Sequence, residues 1–235
     1  MEKQRVAIIG TGRMGKAIAT QIHSYFQLTL LNRGSKQGKE LAAYLKVAYS
    51  TDFRCLNTMN LILCCVPQDA TTSVLNRIAH YASPNTIIMN CSTKAWVDKE
   101  LKQAYSKLHF VEAKIIGHAT SIEAGKQAAI FADATSKSVQ EDISSLFSPF
   151  ATVVFEHPAV VEKLNQVATE IGILAAVTVE QKVEGENLSP FIKEVLIDNV
   201  CAGVMSAYVH NDLGHFAKQI VADLQGRKDT NERNL

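Results

Sequence analysis

Three glycines close to the start of the chain have the spacing needed to bind a phosphate group. Gly10, Gly12 and Gly15 form a GxGxxG pattern between a strand-like run and a helix-like stretch. Gly10 permits a tight turn, Gly12 lets the backbone approach a pyrophosphate, and Gly15 lets the helix pack closely on the strand. The helix N-terminus presents free N–H groups to the anion. A glycine-rich turn that only tightens the connection is the alternative. We predict a dinucleotide site formed by Gly10, Thr11, Gly12, Arg13, Met14 and Gly15.

The end of the second predicted strand indicates which dinucleotide is bound. An NAD site places Asp or Glu there, about 20 residues after the glycines, to bind the ribose 2′-hydroxyl. This chain has Asn32-Arg33-Gly-Ser35-Lys36 instead. Arg33 can pair with a 2′-phosphate, and Ser35 and Lys36 add donors. An ordinary solvated turn has a similar composition. We predict NADP as the cofactor, with Asn32, Arg33, Ser35 and Lys36 among its contacts.

The elements that position these residues alternate between strands and helices. Strand-like runs at 6–9, 28–31, 61–66, 86–89, 110–111 and 152–155 are mostly separated by stretches of helical period. This order predicts an α/β fold, with a Rossmann-type doubly wound parallel sheet over residues 1–156. Apolar residues then recur at helical spacing, which predicts a short all-α segment over 157–226. The polar stretch 227–235 is predicted to be a flexible tail.

Composition limits the possible classes of protein. Of the 235 residues 47% are apolar, enough for a sizeable core, and 24 Lys and Arg against 23 Asp and Glu argue against a nucleic-acid partner. No apolar run reaches the roughly 18 residues of a membrane span, and the first residues do not resemble a signal peptide. The five cysteines form no CxxC pair, so we expect reduced thiols and no metal site. We expect a cytoplasmic protein that binds a small-molecule substrate and no membrane.

Three short segments carry a resemblance to a known superfamily. Residues 10–15 read GTGRMG, residues 32–33 read NR, and residues 63–67 read LCCVP. They resemble the GxGxMG, the NADP-type NR and the strand-four end of NADP-dependent reductases in the superfamily of β-hydroxyacid dehydrogenases, imine reductases and pyrroline-5-carboxylate reductases. In these families the end of strand four lies beside the nicotinamide. The resemblance therefore implies that Val66 and Pro67 belong to the cofactor site.

Two further segments imply a substrate site. Residues 90–93, Asn-Cys-Ser-Thr, are similar to the D-x-S-T segment of β-hydroxyacid dehydrogenases, and residues 162–165, Glu-Lys-Leu-Asn, are similar to their K-l-x-N. The resemblance implies that Ser92 contacts a substrate carboxylate and that Lys163 and Asn165 are catalytic, with Lys163 as the proton donor. Ser92 also follows a buried strand, at the edge where α/β sheets bind ligands. A helix cap at Ser92 and a solvated lysine at position 163 are the alternatives.

Together the residues and the resemblance predict an NADP(H)-dependent oxidoreductase, which transfers hydride between the nicotinamide and a small hydroxyacid, carbonyl or imine substrate. One alternative is a pyrroline-5-carboxylate reductase, because residues 198–201 are similar to that family's D-n-V-c. Its S-G-S-G-P-A-Y substrate loop is absent, and residues 170–176 stand in its place. A non-catalytic NADP(H)-binding sensor or partner protein is the other alternative. The wide apolar stripe of the C-terminal helices predicts a homodimer that forms through them.

Overall fold

The computed structural model describes residues 3–232, with side chains to Gln225, and contains one eight-stranded sheet. The strands run in the order β3-β2-β1-β4-β5-β6-β7-β8, and every adjacent pair is parallel except β6 and β7. Their bounds are β1 Arg5–Ile9, β2 Gln27–Leu31, β3 Ala48–Ser50, β4 Leu61–Cys64, β5 Ile87–Asn90, β6 His109–Ile116, β7 Ala128–Ala132 and β8 Ala151–Val154. The predicted α/β fold is confirmed, although the sheet is mostly rather than wholly parallel.

Helices cover both faces of this sheet. Since successive side chains of a strand point to opposite faces, Ile62 and Leu63 of β4 enter two different hydrophobic clusters. Leu63 packs in a cluster with Ile18 and Phe147, and Ile62 packs in one with Leu75. The helices are α1 Arg13–Ile22, α2 Lys36–Leu45, α3 Gln68–Tyr81, α4 Lys99–Ala104, α5 Ala119–Glu123 and α6 Lys137–Phe147, with a 3₁₀ helix at Phe53–Thr58. This two-sided packing is the doubly wound arrangement that the sequence predicts.

The chain divides into two compact units, the first ending at Gln166 and the second beginning at Val167. The sequence places this boundary at 156/157, whereas the division lies inside helix α7, which spans Val160–Lys182. The start of α7 belongs to the first unit because Val161 is fully buried and Asn165 donates a hydrogen bond of 2.7 Å to the carbonyl of Ile115.

The second unit is helical. It contains the rest of α7 Val160–Lys182, then α8 Pro190–Val195, a π-helical segment at Leu196–Cys201, α9 Ala202–Val209 and α10 His215–Glu232. The predicted tail at 227–235 begins within α10, and residues 233–235 lie outside the described residues. Between Val167 and Gln225 no side chain is buried within the chain, and large apolar side chains such as Leu174, Phe191 and Tyr208 are exposed. None of the helices between residues 3 and 232 carries an apolar stretch of the length that a bilayer span requires.

Candidate functional site

The glycine turn between β1 and α1 leaves no room for side chains at two positions. Gly10 has φ +96°, and a Cβ there would lie 2.4 Å from the carbonyl oxygen of Cys65. A Cβ on Gly15 would lie 1.9 Å from the carbonyl oxygen of Gly10. By contrast, a Cβ on Gly12, the N-cap of α1, would meet nothing within 4 Å. The turn is therefore tight on the protein side and open where a phosphate can approach the backbone.

Asn32, at the end of β2, holds the second turn together. Its amide nitrogen donates to Thr11 Oγ1 at 2.7 Å and to Ser35 Oγ at 2.9 Å. Its amide oxygen accepts from the Gly34 N–H at 2.8 Å and from the Tyr49 hydroxyl at 2.6 Å. These contacts link the two turns, so the structure gives the Asn32 side chain a positioning role between them.

The other predicted residues of the second turn differ in their surroundings. The Ser35 hydroxyl caps α2 by accepting from the Gly38 N–H at 3.1 Å. Lys36 is paired with Glu40 at 3.7 Å, one helical turn away. Arg33 is exposed and forms no salt bridge with any residue in the described part of the chain. Arg33 is thus the cation of this turn with its charge available to a ligand.

The two turns and the start of α3 enclose a cavity of about 470 Å³, a volume typical of small-molecule sites. Two arginines, Arg33 and Arg77, line it, and no Asp or Glu is among the described residues of its wall. Val66 and Pro67, which the resemblance assigns to the cofactor site, line the same cavity. The remaining lining residues are Ile9, Gly10, Thr11, Gly12, Leu31, Asn32, Ser35, Gln37, Phe53, Ala70, Ser73 and Val74.

Two predicted residues of the glycine turn point elsewhere. Arg13 is exposed and lines a second cavity, of about 740 Å³, together with Lys16 and Tyr44. Met14 is partly buried and packs against the core between α1 and the sheet. Met14 therefore contributes to packing, and the coenzyme-binding roles of both residues stay predictions.

Ser92 lies in the loop after β5, at the carboxyl edge of the sheet. Its backbone N–H donates to Asn90 Oδ1 at 3.1 Å, and the residue is 8% exposed. Its hydroxyl forms no hydrogen bond with any residue that the structure describes. Because no described residue is hydrogen-bonded to it, this hydroxyl is available to a ligand. The alternative role of Ser92 as a helix cap has no side-chain hydrogen bond to support it.

A fully buried lysine holds the loop that carries Ser92. Lys114 on β6 donates to the carbonyl oxygens of Ser92 and Ala95, the latter at 2.7 Å, and forms a salt bridge of 2.7 Å with Glu112. These three acceptors match the three N–H donors of an ammonium group. The Trp96 ring lies over the same ammonium, 5.0 Å from its centroid. Lys114 is therefore a structural cation, and all three of its N–H donors bind acceptors inside the domain.

Glu112 completes this network from the other side. One carboxylate oxygen accepts from the Val97 N–H at 2.5 Å, and the other accepts from Asn90 Nδ2 at 2.8 Å. The ends of the loop 92–97 are thus tied to β5 and β6 through side chains that are buried. The sequence assigned no role to Glu112 or Lys114, since nothing in a strand's own pattern marks a charged residue as buried.

The start of α7 lies against the same loop. Glu162 pairs with Lys94 at 3.4 Å, and His157 stacks on Trp96 with ring centroids 5.4 Å apart. Lys163 is exposed and contacts no described residue through a hydrogen bond or ion pair. The structure therefore brings the helix of Lys163 to the loop of Ser92 without a contact between the two residues. The catalytic roles of Ser92, Lys163 and Asn165 stay predictions.

Cys64 and Cys65, at the end of β4, are free thiols. Burial raises the pKa of Cys64 to about 12. A hydrogen bond with Cys91, together with burial, holds the pKa of Cys65 well above its usual value. Because the thiolate is the nucleophilic form, neither group is a nucleophile near neutral pH. The described residues contain no cluster of three or more His, Cys, Asp or Glu side chains that could hold a metal ion.

Comparison with protein families now identifies the first unit. Residues 5–167 match the family described as the NAD binding domain of 6-phosphogluconate dehydrogenase. The chain belongs to this family. Membership in this NAD-binding family confirms that the glycine turn is part of a nicotinamide-dinucleotide domain and that the protein is of the oxidoreductase class. A search of curated proteins finds no significant match.

Solved structures of three oxidoreductases resemble the chain. Pyrroline carboxylate reductase from Plasmodium falciparum with NADP bound is 14% identical, with a TM-score of 0.69 over 100% of this chain and 93% of that one. 3-Hydroxyisobutyrate dehydrogenase from Salmonella typhimurium is 14% identical, with a TM-score of 0.63 over 89% of this chain and 79% of that one. A variant of the imine reductase from Myxococcus stipitatus in complex with NAD+ is 17% identical, with a TM-score of 0.58 over 90% of this chain and 78% of that one. These likenesses establish the fold and agree with the predicted superfamily.

Proposed function

We propose that the protein is an NADP(H)-dependent oxidoreductase acting on a small hydroxy acid, carbonyl or imine. The observation that carries the coenzyme preference is the cavity wall at the end of β2, where Arg33 stands and no described carboxylate lines the cavity. A carboxylate there would bind the ribose 2′-hydroxyl of NAD and repel a 2′-phosphate. An unpaired guanidinium favours the phosphate instead, through charge-assisted hydrogen bonds.

The chain's own residues divide the work of binding. The open backbone at Gly12 and the N-terminus of α1 hold the pyrophosphate, and Asn32 fixes the turn that presents Arg33. Val66 and Pro67 form the cavity wall at the end of β4. When bound, the nicotinamide supplies the hydride chemistry, which amino-acid side chains cannot provide.

The substrate side of the proposal rests on Ser92 and Lys163. The free Ser92 hydroxyl, held in place by the Lys114 network beneath it, binds the substrate carboxylate. Lys163 donates the proton to the carbonyl oxygen or imine nitrogen, and Asn165 anchors the start of its helix to β6. The salt bridge between Lys94 and Glu162, which lies next to these residues in the sequence, supports this pairing of loop and helix.

We also propose that the protein is a homodimer that forms through its second unit. No side chain between Val167 and Gln225 is buried within the chain, so this unit has no core of its own among the described residues. Exposed apolar residues such as Ile171, Val204 and Phe216 require a partner surface that excludes water. Light scattering at micromolar concentration should give the mass of a dimer, and a monomer would contradict this. Cytoplasmic location and the absence of nucleic-acid or membrane partners stay predictions.

One experiment tests the function. NADPH and NADH oxidation is followed at 340 nm with three substrate classes, namely 2-keto or 3-keto acids, cyclic imines other than pyrroline-5-carboxylate, and pyrroline-5-carboxylate itself. We expect NADPH-dependent turnover of one of the first two classes. Turnover of pyrroline-5-carboxylate alone would favour the second candidate, a pyrroline-5-carboxylate reductase, which the match over nearly the whole of both chains supports. Tight NADPH binding without any turnover would indicate a non-catalytic sensor.

A further inference from the structure

Arg77 is a cation whose charge is not neutralised by any described residue of the chain. It lies on α3, its side chain is exposed, and it forms no hydrogen bond or salt bridge with the part of the chain that the structure describes. Its guanidinium carbon instead lies 3.9 Å above the ring centroid of Phe53. An arginine held on an aromatic ring keeps its charge and its N–H donors available to a ligand.

The Phe53 ring that contacts this guanidinium is held in a fixed position by its own packing. The residue is 6% exposed, opens the 3₁₀ helix Phe53–Thr58, and packs against Tyr81 with ring centroids 6.4 Å apart. Asp52 caps that helix by accepting from the Arg54 N–H at 2.9 Å. The stack of Arg77 on Phe53 is therefore pre-organised, and little side-chain entropy is lost when a ligand binds to it.

The stack forms part of the wall of the cavity already described. Arg77 and Phe53 line it together with the apolar side chains of Leu31, Val66 and Val74. Arg33 lines the same cavity from the end of β2. A flat, aromatic ligand with apolar faces suits a wall that combines aliphatic groups with a guanidinium, because guanidinium groups stack on aromatic planes.

We infer that Arg77 is an adenine-binding residue, whose guanidinium packs between the Phe53 ring and the adenine of the coenzyme. This inference rests on the proposed function, since it requires a nicotinamide adenine dinucleotide in the cavity. Arg33 and Arg77 then have separate tasks. Arg33 distinguishes the two coenzymes through the 2′-phosphate. Arg77 increases the affinity for both, because NADPH and NADH carry the same adenine.

Binding titrations of four proteins test this division. The unsubstituted protein, Arg77→Gln, Arg77→Lys and a control, Arg54→Gln, are titrated with NADPH and with NADH by coenzyme fluorescence. Arg54→Gln removes the same charge next to Phe53, but Arg54 does not line the cavity and its backbone N–H still binds Asp52. Thermal unfolding verifies that each variant is folded.

We expect Arg77→Gln to lower the affinity for both coenzymes by a similar factor of about 3- to 30-fold, which corresponds to the free energy of a partly desolvated cation–π contact. Arg77→Lys should lose nearly as much, because an ammonium keeps the charge without the plane, and Arg54→Gln should bind as the unsubstituted protein does. Unchanged affinity in Arg77→Gln would overturn the inference, as would a loss confined to NADPH, which would make Arg77 a phosphate contact. If the unsubstituted protein binds neither coenzyme, the proposed function itself is wrong.

Discussion

Lys114 and Glu112, two residues apart on β6, form a salt bridge of 2.7 Å with side chains only 1% and 2% exposed. Side chains two residues apart on a strand point to the same face, so the pair can meet without bending the backbone. The ammonium binds two loop carbonyls and the carboxylate binds a loop N–H. A buried ion pair is costly to desolvate, and here its polar atoms are satisfied by the loop that carries Ser92.

The first prediction concerns the stability of this pair. Lys114→Met should lower the free energy of unfolding by about 3–5 kcal/mol, because it leaves the Glu112 carboxylate buried without a cation. Urea denaturation measures the change. The control is Lys16→Met, which breaks the exposed pair with Glu123 and should cost at most about 1 kcal/mol. Equal stability of Lys114→Met and the unsubstituted protein would contradict the role of the pair.

The second prediction concerns Arg33 and coenzyme choice. Arg33→Asp should weaken NADPH much more than NADH, because it removes a charge-assisted contact worth about 1.5–3 kcal/mol and adds a carboxylate near the phosphate. Fluorescence titration with both coenzymes measures the ratio of dissociation constants. Lys36→Asp is the control at the same turn, and its effect should be smaller since Lys36 is 89% exposed and faces Glu40. Similar losses for NADPH and NADH in Arg33→Asp would show that Arg33 supports the turn.

The third prediction separates Asn32 from Arg33. Asn32→Ala should weaken both coenzymes and lower stability by about 1–3 kcal/mol, because the Gly34 N–H and the Tyr49 hydroxyl lose their acceptor. Thermal unfolding and the same titrations measure the two effects. Asn76→Ala is the control, since Asn76 is exposed and makes a single bond to its own helix. Loss of NADPH binding alone, at full stability, would mean that Asn32 contacts the phosphate directly.

The fourth prediction distinguishes two glycines of one turn. Gly15→Ala should lower stability by about 1–3 kcal/mol, because its Cβ would lie 1.9 Å from the Gly10 carbonyl oxygen. Gly12→Ala should keep its stability, since the added Cβ meets no atom within 4 Å, and should weaken coenzyme binding by roughly tenfold or more. Urea denaturation and titration are measured for both variants. Full coenzyme affinity in Gly12→Ala would contradict the phosphate site.

The fifth prediction tests Lys163 once a substrate is found. Lys163→Ala should lower kcat by about 10²- to 10⁴-fold, the usual contribution of a general acid, with little change in NADPH affinity. Steady-state kinetics and coenzyme titration measure the two quantities. Lys182→Ala, at the other end of α7, is the matched control and should keep full activity. A kcat that Lys163→Ala leaves unchanged would assign the proton to another group.

Part of this protein is readable from sequence because the physical cause is local. The glycine turn needs a backbone geometry and a close approach that only glycine permits, so Gly10 and Gly15 identify it within six residues. Repeated strand and helix patterns likewise identify the α/β fold. Strands β3 and β7 do not appear among the predicted runs, because β3 has only three residues and β7 reads Ala-Ala-Ile-Phe-Ala, with few β-branched side chains.

The roles of Arg77 and Lys114 were decided by the tertiary structure, because they depend on contacts between segments that are distant in the sequence. Arg77 resembles any exposed helix arginine until α3 packs beside the 3₁₀ helix and sets it on Phe53. Lys114 resembles a polar interruption of β6 until the loop 92–97 folds over it and supplies two carbonyl oxygens. A side chain's charge and shape are local properties, whereas its burial and its partners follow from how the elements pack, and the latter set what these residues do.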